Sequence, residues 1–307
     1  MSEKKHAFLI GAYQNPEYLK HFILSLNGDR SNFYIHINKA NLSAFEELKK
    51  FFKQYPNVCF VPSIKIRWGG ITLLKSMDIM MSKALDNPEN EFFHFLTGQD
   101  ILIKPLKELY VFFDENADKN FILAHNLPSE LDSDLYNHFF YQRYSQFHFY
   151  DYLDYRSRKF QYYIGRAITK ILTAIIGPRK PVFANLIRCS SWFSINRIAA
   201  ERIVDFLHKK GCYRWLGFSF APDEMFVASL LCNCSDSKVF NLQHDNLRII
   251  KFPRSGGDGS PNVLTECDYQ DLKISNAFFA RKIDPKKSSK LIELVYGLTG
   301  EENKSHE

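Results

Sequence analysis

Short apolar runs alternate with longer amphipathic segments through the first hundred residues, and this alternation restricts the fold more than any other feature. We predict strands at residues 6–12, 32–37, 58–61 and 92–96, with helices at 16–26, 42–52 and 72–85 between them. Strands that alternate with helices in this way form βαβ units, and so the chain is predicted to have an α/β fold with a mostly parallel sheet flanked by helices. Ligands of such sheets bind beyond the carboxyl ends of the strands. Three segments lie at the carboxyl ends of predicted strands and are the first candidates for a site: Gly11-Ala12-Tyr13, His36-Ile37-Asn38-Lys39 and Thr97-Gly98-Gln99-Asp100.

Polar residues at several predicted helix starts indicate capping. Asn15 precedes a proline at the first helical position, and Ser43 with Glu46 has the spacing of a capping box. Asn196 follows a predicted strand at 191–195 and is expected to cap the next helix.

The segment at about 128–185 differs from the rest because it is rich in Tyr, Phe and Arg and lacks strand alternation. We interpret it as a helical and loop insertion within a single domain that spans residues 1–307. Its apolar, Lys/Arg-punctuated part at 164–181 fits either a peripheral membrane contact or an ordinary helix packed on the domain. Beyond it, the basic stretch after residue 243 looks loop-like, and about 285–307 is expected to form a C-terminal helix and a loose tail.

Charge and cysteine content limit the partners and the compartment. The net charge of +6, from 40 basic and 34 acidic residues, is too small an excess to suggest nucleic-acid binding, but it suits an anionic small ligand or an acidic membrane surface. The N-terminus has no apolar signal core, and no apolar stretch is long enough to span a membrane. We therefore expect a cytoplasmic protein with six reduced cysteines, peripheral at most on the inner face of the membrane.

The acidic pair Asp223-Glu224 follows Pro222 and precedes a predicted helix at 223–232. Carboxylates in a first helical turn are favoured in their ionised form by the helix dipole. The competing interpretation is ordinary charge at a helix N-terminus.

Basic residues near the C-terminus, Arg248, Arg281 and Lys282, alternate with apolar residues and are able to neutralise a diphosphate. The alternative interpretation is that these basic residues lie on the solvated surface, as isolated Lys and Arg residues usually do. A metal site is not expected, because Asp132-Ser133-Asp134 lies in a polar loop and Asp100 alone makes a poor cage for Mg²⁺ or Mn²⁺.

Six segments, in the same order, resemble motifs of the core-2/I-branching β-1,6-N-acetylglucosaminyltransferase family, which includes the peptide O-xylosyltransferases. The chain resembles a bacterial-type member, and the segment at about 128–185 carries little of the resemblance. The six segments are His36-Ile37-Asn38-Lys39, Trp68-Gly69-Gly70, Phe95-Leu96-Thr97-Gly98-Gln99-Asp100, Ser190-Ser191-Trp192-Phe193-Ser194-Ile195-Asn196-Arg197, Pro222-Asp223-Glu224-Met225-Phe226 and Phe279-Ala280-Arg281-Lys282-Ile283-Asp284.

The resemblance implies a GT-A-like, Rossmann-type fold, a UDP-sugar donor, inversion at the anomeric carbon, and neither a metal nor another cofactor. It makes Glu224 the general base, which takes the proton of an acceptor hydroxyl. The resemblance also implies three groups of residues around Glu224. The donor site contains Ala12, Asn38 and Asp100. The diphosphate is neutralised by Lys282, with Arg281 and Arg248, and the acceptor side is formed by Trp192, Arg143, Tyr144 and Asp223. Asn38 stands where the family has an aspartate, so that the position keeps an acceptor oxygen and loses a charge.

The predicted function is inverting, metal-independent transfer of GlcNAc, or of xylose, from a UDP-sugar to a hydroxyl of a glycan acceptor. The acceptor is a surface polysaccharide or lipid-linked glycan precursor. Two alternatives remain open from the sequence: a nucleotidyltransferase on a similar sheet, and a non-catalytic protein that binds glycan or nucleic acid.

Overall fold

The computed structural model describes residues 3–126, 135–153, 155, 158–180, 182–234, 240–253 and 260–299. Its strands are β1 (Lys5–Ala12), β2 (Ser31–Ile37), β3 (Val58–Phe60), β4 (Asn90–Thr97), β5 (Asp100–Leu102), β6 (Asn120–Asn126), β7 (Ile187–Asn196), β8 (Leu242–Gln243), β9 (Arg248–Ile250) and β10 (Phe279–Arg281). Its helices are α1 (Pro16–Ser25), α2 (Glu46–Phe52), α3 (Thr72–Leu85), α4 (Leu106–Glu115), α5 (Leu135–Ser145), α6 (Lys159–Ile176), α7 (Arg197–Leu207), α8 (Cys212–Leu216), α9 (Phe226–Cys232), α10 (Tyr269–Ile274) and α11 (Ser289–Thr299).

A seven-stranded sheet in the order β3-β2-β1-β4-β7-β6-β8 forms the centre of the molecule. The first four strands of that order are parallel to one another, and β8 is parallel to β6. Only β7 runs against its two neighbours, β4 and β6. The predicted α/β fold with a mostly parallel sheet is therefore confirmed, and the polarity of β7 is an addition that the sequence pattern did not reveal.

Helices cover both faces of this sheet, as alternate residues of β1 show. Ala7 and Leu9 belong to a hydrophobic cluster with α3, α7 and α9. Phe8 and Ile10 belong to a second cluster with α1, α2, α4 and α11. Because strand side chains alternate between faces, a strand buried on both sides becomes a continuous apolar run, which β1 is.

Two of the three predicted caps are wrong. The Asn196 side chain does accept from the Ala199 amide at 3.0 Å. Asn15 instead lies in the left-handed region at φ 55°, and its side chain makes no capping bond. The expected box at Ser43 and Glu46 is also absent, because residues 39–45 form a 3₁₀ helix and α2 begins only at Glu46.

The C-terminal basic stretch is not the loop that its sequence suggests. Strands β9 and β10 join β5 in a second sheet, in which β10 is parallel to β9 and antiparallel to β5. In that register Arg281 lies opposite Asp100. Each strand has only three residues, which is too short for alternation to be recognisable.

The segment predicted as a helical and loop insertion contains α5 and α6, and its first residues, with Asp132-Ser133-Asp134, lie outside the described part of the chain. Helix α11 buries Leu291 and Val295, whereas the tail from residue 300 is also outside the described part. Within the described ranges no helix combines the length and apolarity needed to cross a bilayer.

Candidate active site

The Pro222–Glu224 segment forms one turn of 3₁₀ helix. The prediction that it is the first turn of an α-helix is therefore wrong. Ala221 enters it in the left-handed region at φ 48°, and the Glu224 amide bonds back to the Ala221 carbonyl at 3.1 Å. Helix α9 starts afterwards, at Phe226. The helix-dipole argument for these carboxylates therefore fails, and their side-chain partners determine their state.

Glu224 is held by Arg143 from α5. The Arg143 Nη1 donates to Oε2 of Glu224, while the guanidinium lies 4.1 Å from the ring centre of Phe140 and 4.5 Å from that of Phe220. The Glu224 side chain is 40% exposed and the Arg143 side chain only 12%. Among the described residues nothing bonds to Oε1 of Glu224, so that a fixed carboxylate presents one oxygen to solvent.

Asp223 and Tyr144 support this turn from beneath. Oδ2 of buried Asp223 accepts from the Ser191 hydroxyl at 2.5 Å, and the buried Tyr144 hydroxyl donates to the Pro222 carbonyl at 3.0 Å. Burial, and then the charge of Glu224, raises the pKa of Asp223 to about 6. Both residues were expected to face the acceptor, but their burial gives them a supporting role behind Glu224.

The Trp68-Gly69-Gly70 turn is bonded to the same segment. The Ala221 amide donates to the Gly69 carbonyl at 2.8 Å, and the Phe220 amide to the Arg143 carbonyl at 2.9 Å. Gly69 has φ +74°, and a Cβ on it would lie 2.7 Å from the Phe220 ring. Only glycine fits this position, and the turn fixes Ala221 two residues before the acidic pair.

A second cluster of predicted residues lies where β4 ends. The buried Arg281 guanidinium stacks 3.6 Å from the ring centre of Trp192, and its Nη1 lies 3.4 Å from Oδ1 of Asp100. Oδ2 of Asp100 also accepts from the Thr97 amide at 2.8 Å, which fixes the carboxylate. Burial lowers the pKa of Arg281, and its Nε has no hydrogen-bond partner among the described residues. Arg281, Asp100 and Trp192 thus form one unit at the carboxyl end of the sheet.

Lys282 follows Arg281 and is half-buried, and its ammonium pairs with none of the described residues. Arg248 is different. Its buried guanidinium donates to the carbonyls of Phe193 at 2.8 Å and Phe95 at 3.3 Å, and burial lowers its pKa to about 9. We therefore assign Arg248 a structural role, joining β4 to β7, in place of the predicted diphosphate contact.

Ala12 and Asn38 lie at the carboxyl ends of β1 and β2, where the Asn38 amide donates to the Ala12 carbonyl at 2.8 Å. Oδ1 of Asn38 accepts from the Ile66 amide at 3.2 Å and the Ala40 amide at 3.3 Å. The oxygen that was expected to replace the family's carboxylate is therefore used within the loop, and the Asn38 NH₂ group is the part left for a ligand.

Strand β7 connects the two clusters through adjacent residues. Ser191 bonds to Asp223, and Trp192 stacks on Arg281. Neighbouring strand residues point to opposite faces, so that one strand serves the acidic turn on one side and the cationic unit on the other. Sequence reasoning missed Ser191 as a contact, although it stands in the Ser190–Arg197 motif, and it missed the pairing of Arg143 with Glu224, which has no local signal.

No three His, Cys, Asp or Glu side chains of the described residues are grouped as metal ligands would be. The predicted absence of a metal stays a prediction.

Comparison with known proteins places this geometry in a family. The sequence model of the Core-2/I-Branching enzyme matches residues 6–275. Xylosyltransferase 2 of Rattus norvegicus is 30% identical over 110 residues, 35% of this chain and 13% of that protein. A xylosyltransferase of Ciona intestinalis is 24% identical over 276 residues, 82% of this chain and 29% of that protein. The chain thus spans less than a third of the length of these relatives.

Proposed function

Because this chain belongs to the core-2/I-branching enzyme family, we propose that it is an inverting glycosyltransferase that moves a sugar from a UDP-sugar to an acceptor hydroxyl without a metal. The observation that carries the proposal is Glu224, a carboxylate oriented by Arg143 through one oxygen and open to solvent through the other. Family membership favours sugar transfer over nucleotidyl transfer and over binding without catalysis. The GT-A-like arrangement of the seven-stranded sheet agrees with it.

In the proposed reaction Oε1 of Glu224 accepts the proton of the acceptor hydroxyl. The acceptor oxygen forms a bond to the anomeric carbon from the face opposite the diphosphate, while the bond from that carbon to the diphosphate oxygen breaks. The electron pair leaves with UDP. One protein carboxylate is enough, because diphosphate is a good leaving group and takes no proton, in contrast to the alcohol that leaves in glycoside hydrolysis.

The negative charge that develops on UDP needs a cation. Lys282 is the first candidate, because its ammonium has no partner among the described residues. Arg281 is the second, since Asp100 and Trp192 fix its guanidinium next to Lys282, and its buried Nε and Nη1 have no hydrogen-bond partner among the described residues. Preorganised cations of this kind stabilise the transition state without a metal ion.

The donor sugar follows from similarity alone. The motifs shared with the core-2/I-branching β-1,6-N-acetylglucosaminyltransferases favour GlcNAc, and the similarity to xylosyltransferases makes xylose the second candidate. For the acceptor we propose a glycan hydroxyl, in a surface polysaccharide or a lipid-linked precursor, reached on the cytoplasmic side of a membrane. We propose that the residues at 164–181 make the peripheral contact with this membrane.

A thermal-shift panel of UDP-sugars, with and without EDTA, tests the donor and the metal together. A ligand that binds only the folded protein raises its Tm, so we expect UDP-GlcNAc or UDP-xylose to give the largest shift and EDTA to leave it unchanged. The base is tested by Glu224→Gln, which should lower turnover on the order of 10²–10⁴-fold while the UDP-induced shift remains. Glu201→Gln, in a surface pair with Arg197, is the matched control.

Two results would contradict the proposal. If Glu224→Gln retains both UDP-sugar hydrolysis and transfer, Glu224 is not the base. If EDTA abolishes turnover and Mn²⁺ restores it, the reaction depends on a metal.

A further inference from the structure

Helix α6 carries an apolar stripe that faces away from the protein. Phe160, Tyr163, Ile171 and Ile175 are between 56% and 77% exposed. Their spacing of three, eight and four residues places them on one side of the helix. Burial within the protein involves another side, because Gly165 and Thr169 are the buried residues of α6. The stripe is a contiguous exposed apolar surface that core packing does not explain.

Three exposed cations, Lys159, Arg166 and Lys170, line one edge of this stripe. They follow one another at intervals of seven and four residues and therefore form a row along the helix. The chain has no Asp or Glu between Asp154 and Glu201. The row is therefore not neutralised by any acidic residue of its own segment.

We propose that α6 docks parallel to the surface of an anionic lipid bilayer. The apolar stripe would insert into the interface, and the basic row would lie among the lipid phosphates. Tyr163 adds a ring with a polar hydroxyl, which favours the depth of the membrane–water interface, and Phe160 adds apolar surface to the stripe. A second copy of this chain suits the surface less well, because an antiparallel symmetric contact through the same face would bring two basic rows together.

The inner side of α6 is joined to the candidate active site by a layer of aromatic rings. Gly165 packs directly against Tyr155, whose ring lies 4.1 Å from that of Tyr150. The Tyr150 ring lies 4.4 Å from Phe220, which flanks Arg143. The Thr169 hydroxyl adds a bond of 2.6 Å to the Phe147 carbonyl.

Docking through the outer side of α6 would therefore hold Glu224 near the membrane surface. This consequence rests on the proposed function, since it explains how a lipid-linked acceptor would reach the base. The binding itself does not rest on it.

Co-sedimentation with vesicles tests the proposal. The protein should sediment with vesicles of phosphatidylcholine mixed with phosphatidylglycerol, less so as salt is added, and weakly with phosphatidylcholine alone. Ile171→Asp should abolish this binding. Reversing the row with Lys159→Glu, Arg166→Glu and Lys170→Glu should weaken it on the order of 100-fold. The controls are Ile274→Asp on α10 and the triple change Lys286→Glu, Lys287→Glu and Lys290→Glu, all at exposed positions away from α6.

The proposal is overturned if the wild-type protein does not bind the anionic vesicles at low salt, or if Ile171→Asp binds as the wild type does. It is also overturned if sedimentation velocity shows a dimer that Ile171→Asp dissociates, because a second copy would then cover the stripe. UDP-sugar hydrolysis without vesicles reports separately on the proposed function, and Ile171→Asp should leave it unchanged.

Discussion

Arg143 on α5 donates through Nη1 to Oε2 of Glu224, across a separation of 81 residues in the chain. The guanidinium is enclosed by Phe140 and Phe220, so that the arginine has little freedom and transmits that rigidity to the carboxylate. An oriented carboxylate presents Oε1 in one direction, and in the proposed reaction the acceptor hydroxyl approaches from there.

We expect Arg143→Lys to lower kcat by about 10- to 100-fold and to leave the affinity for UDP unchanged. A lysine keeps the charge but not the planar group that stacks between Phe140 and Phe220, and a small displacement of a catalytic group is costly in rate. Steady-state kinetics with a saturating donor measures the effect. Arg30→Lys, in a remote pair with Asp114, is the control. A variant with wild-type kcat would show that Arg143 does not position the base.

Replacing Asp223 by Asn should change the pH dependence of stability. The folded-state pKa of about 6 lies above the unfolded value of 3.8, so the folded protein binds more protons between about pH 4 and 6. The contribution of this carboxyl to stability is therefore present at low pH and is lost as the pH rises through that window.

Asp223→Asn removes that loss, on the order of 1–3 kcal/mol, and keeps an oxygen for the Ser191 hydroxyl. The Tm of the variant should exceed that of the wild type by a few degrees at pH 7 and equal it near pH 4. A Tm well below the wild type at pH 7 would mean that the charged form of Asp223 stabilises the fold.

Buried histidines make the fold sensitive to acid. Burial lowers the pKa of His6 and His94 well below 6.5, and that of His36 and His148 to about 4. The unfolded chain binds more protons below pH 6.5, so that stability falls as the pH is lowered, by up to about 1.4 kcal/mol per pH unit for each histidine.

The change His6→Asn with His94→Asn removes a pair whose ring nitrogens lie 3.0 Å apart. The double variant should have a lower Tm at pH 7 but a shallower decline between pH 6.5 and 4.5. The control is His21→Asn, at an exposed position on α1, in which the Tm should decline with pH as it does in the wild type. Equal slopes in all three proteins would contradict the assignment of neutral buried histidines.

Gly70→Ala should lower the Tm by several degrees, because its Cβ would overlap Oδ1 of Asp151. Overpacking of this kind typically costs about 1–3 kcal/mol. Asp151→Ala makes room, and the loss caused by Gly70→Ala should be smaller in that background. Gly11→Ala, whose Cβ would find only the Leu96 carbonyl at 4.0 Å, serves as the control for the loss of a glycine. Additive losses in the double variant would show that the two side chains do not compete for space.

The sequence was sufficient for features that depend on local periodicity. Helix α3 has the predicted bounds, and the strands of the parallel half lie where the apolar runs are. Glu224 and Arg281 were selected as candidates through motifs, which preserve local order, and their roles stay predictions. The second sheet was missed because its three-residue strands are stabilised by pairing between distant segments, as in the register of Arg281 with Asp100.

The partners of the site residues were beyond prediction for the same reason. Arg248 was predicted to contact the diphosphate, and only the packing of β9 beside β4 and β7 shows that backbone carbonyls bind it instead. The turn at Pro222 was predicted as the start of an α-helix because proline favours the first position of both helix types. The non-helical backbone of Met225, at φ −143°, separates the 3₁₀ turn from α9.

The adjacent positions of Ser191 and Trp192 on β7 make insertions and substitutions unequal in their effects. A substitution at either position alters one half of the site and leaves the other half in place. Inserting a single residue before Ser191 would slip the register and exchange the faces of both, so that the contact with Asp223 and the contact with Arg281 would be lost together. Relatives of this chain can therefore differ in the side chains of this strand, but not in the number of residues before Ser191.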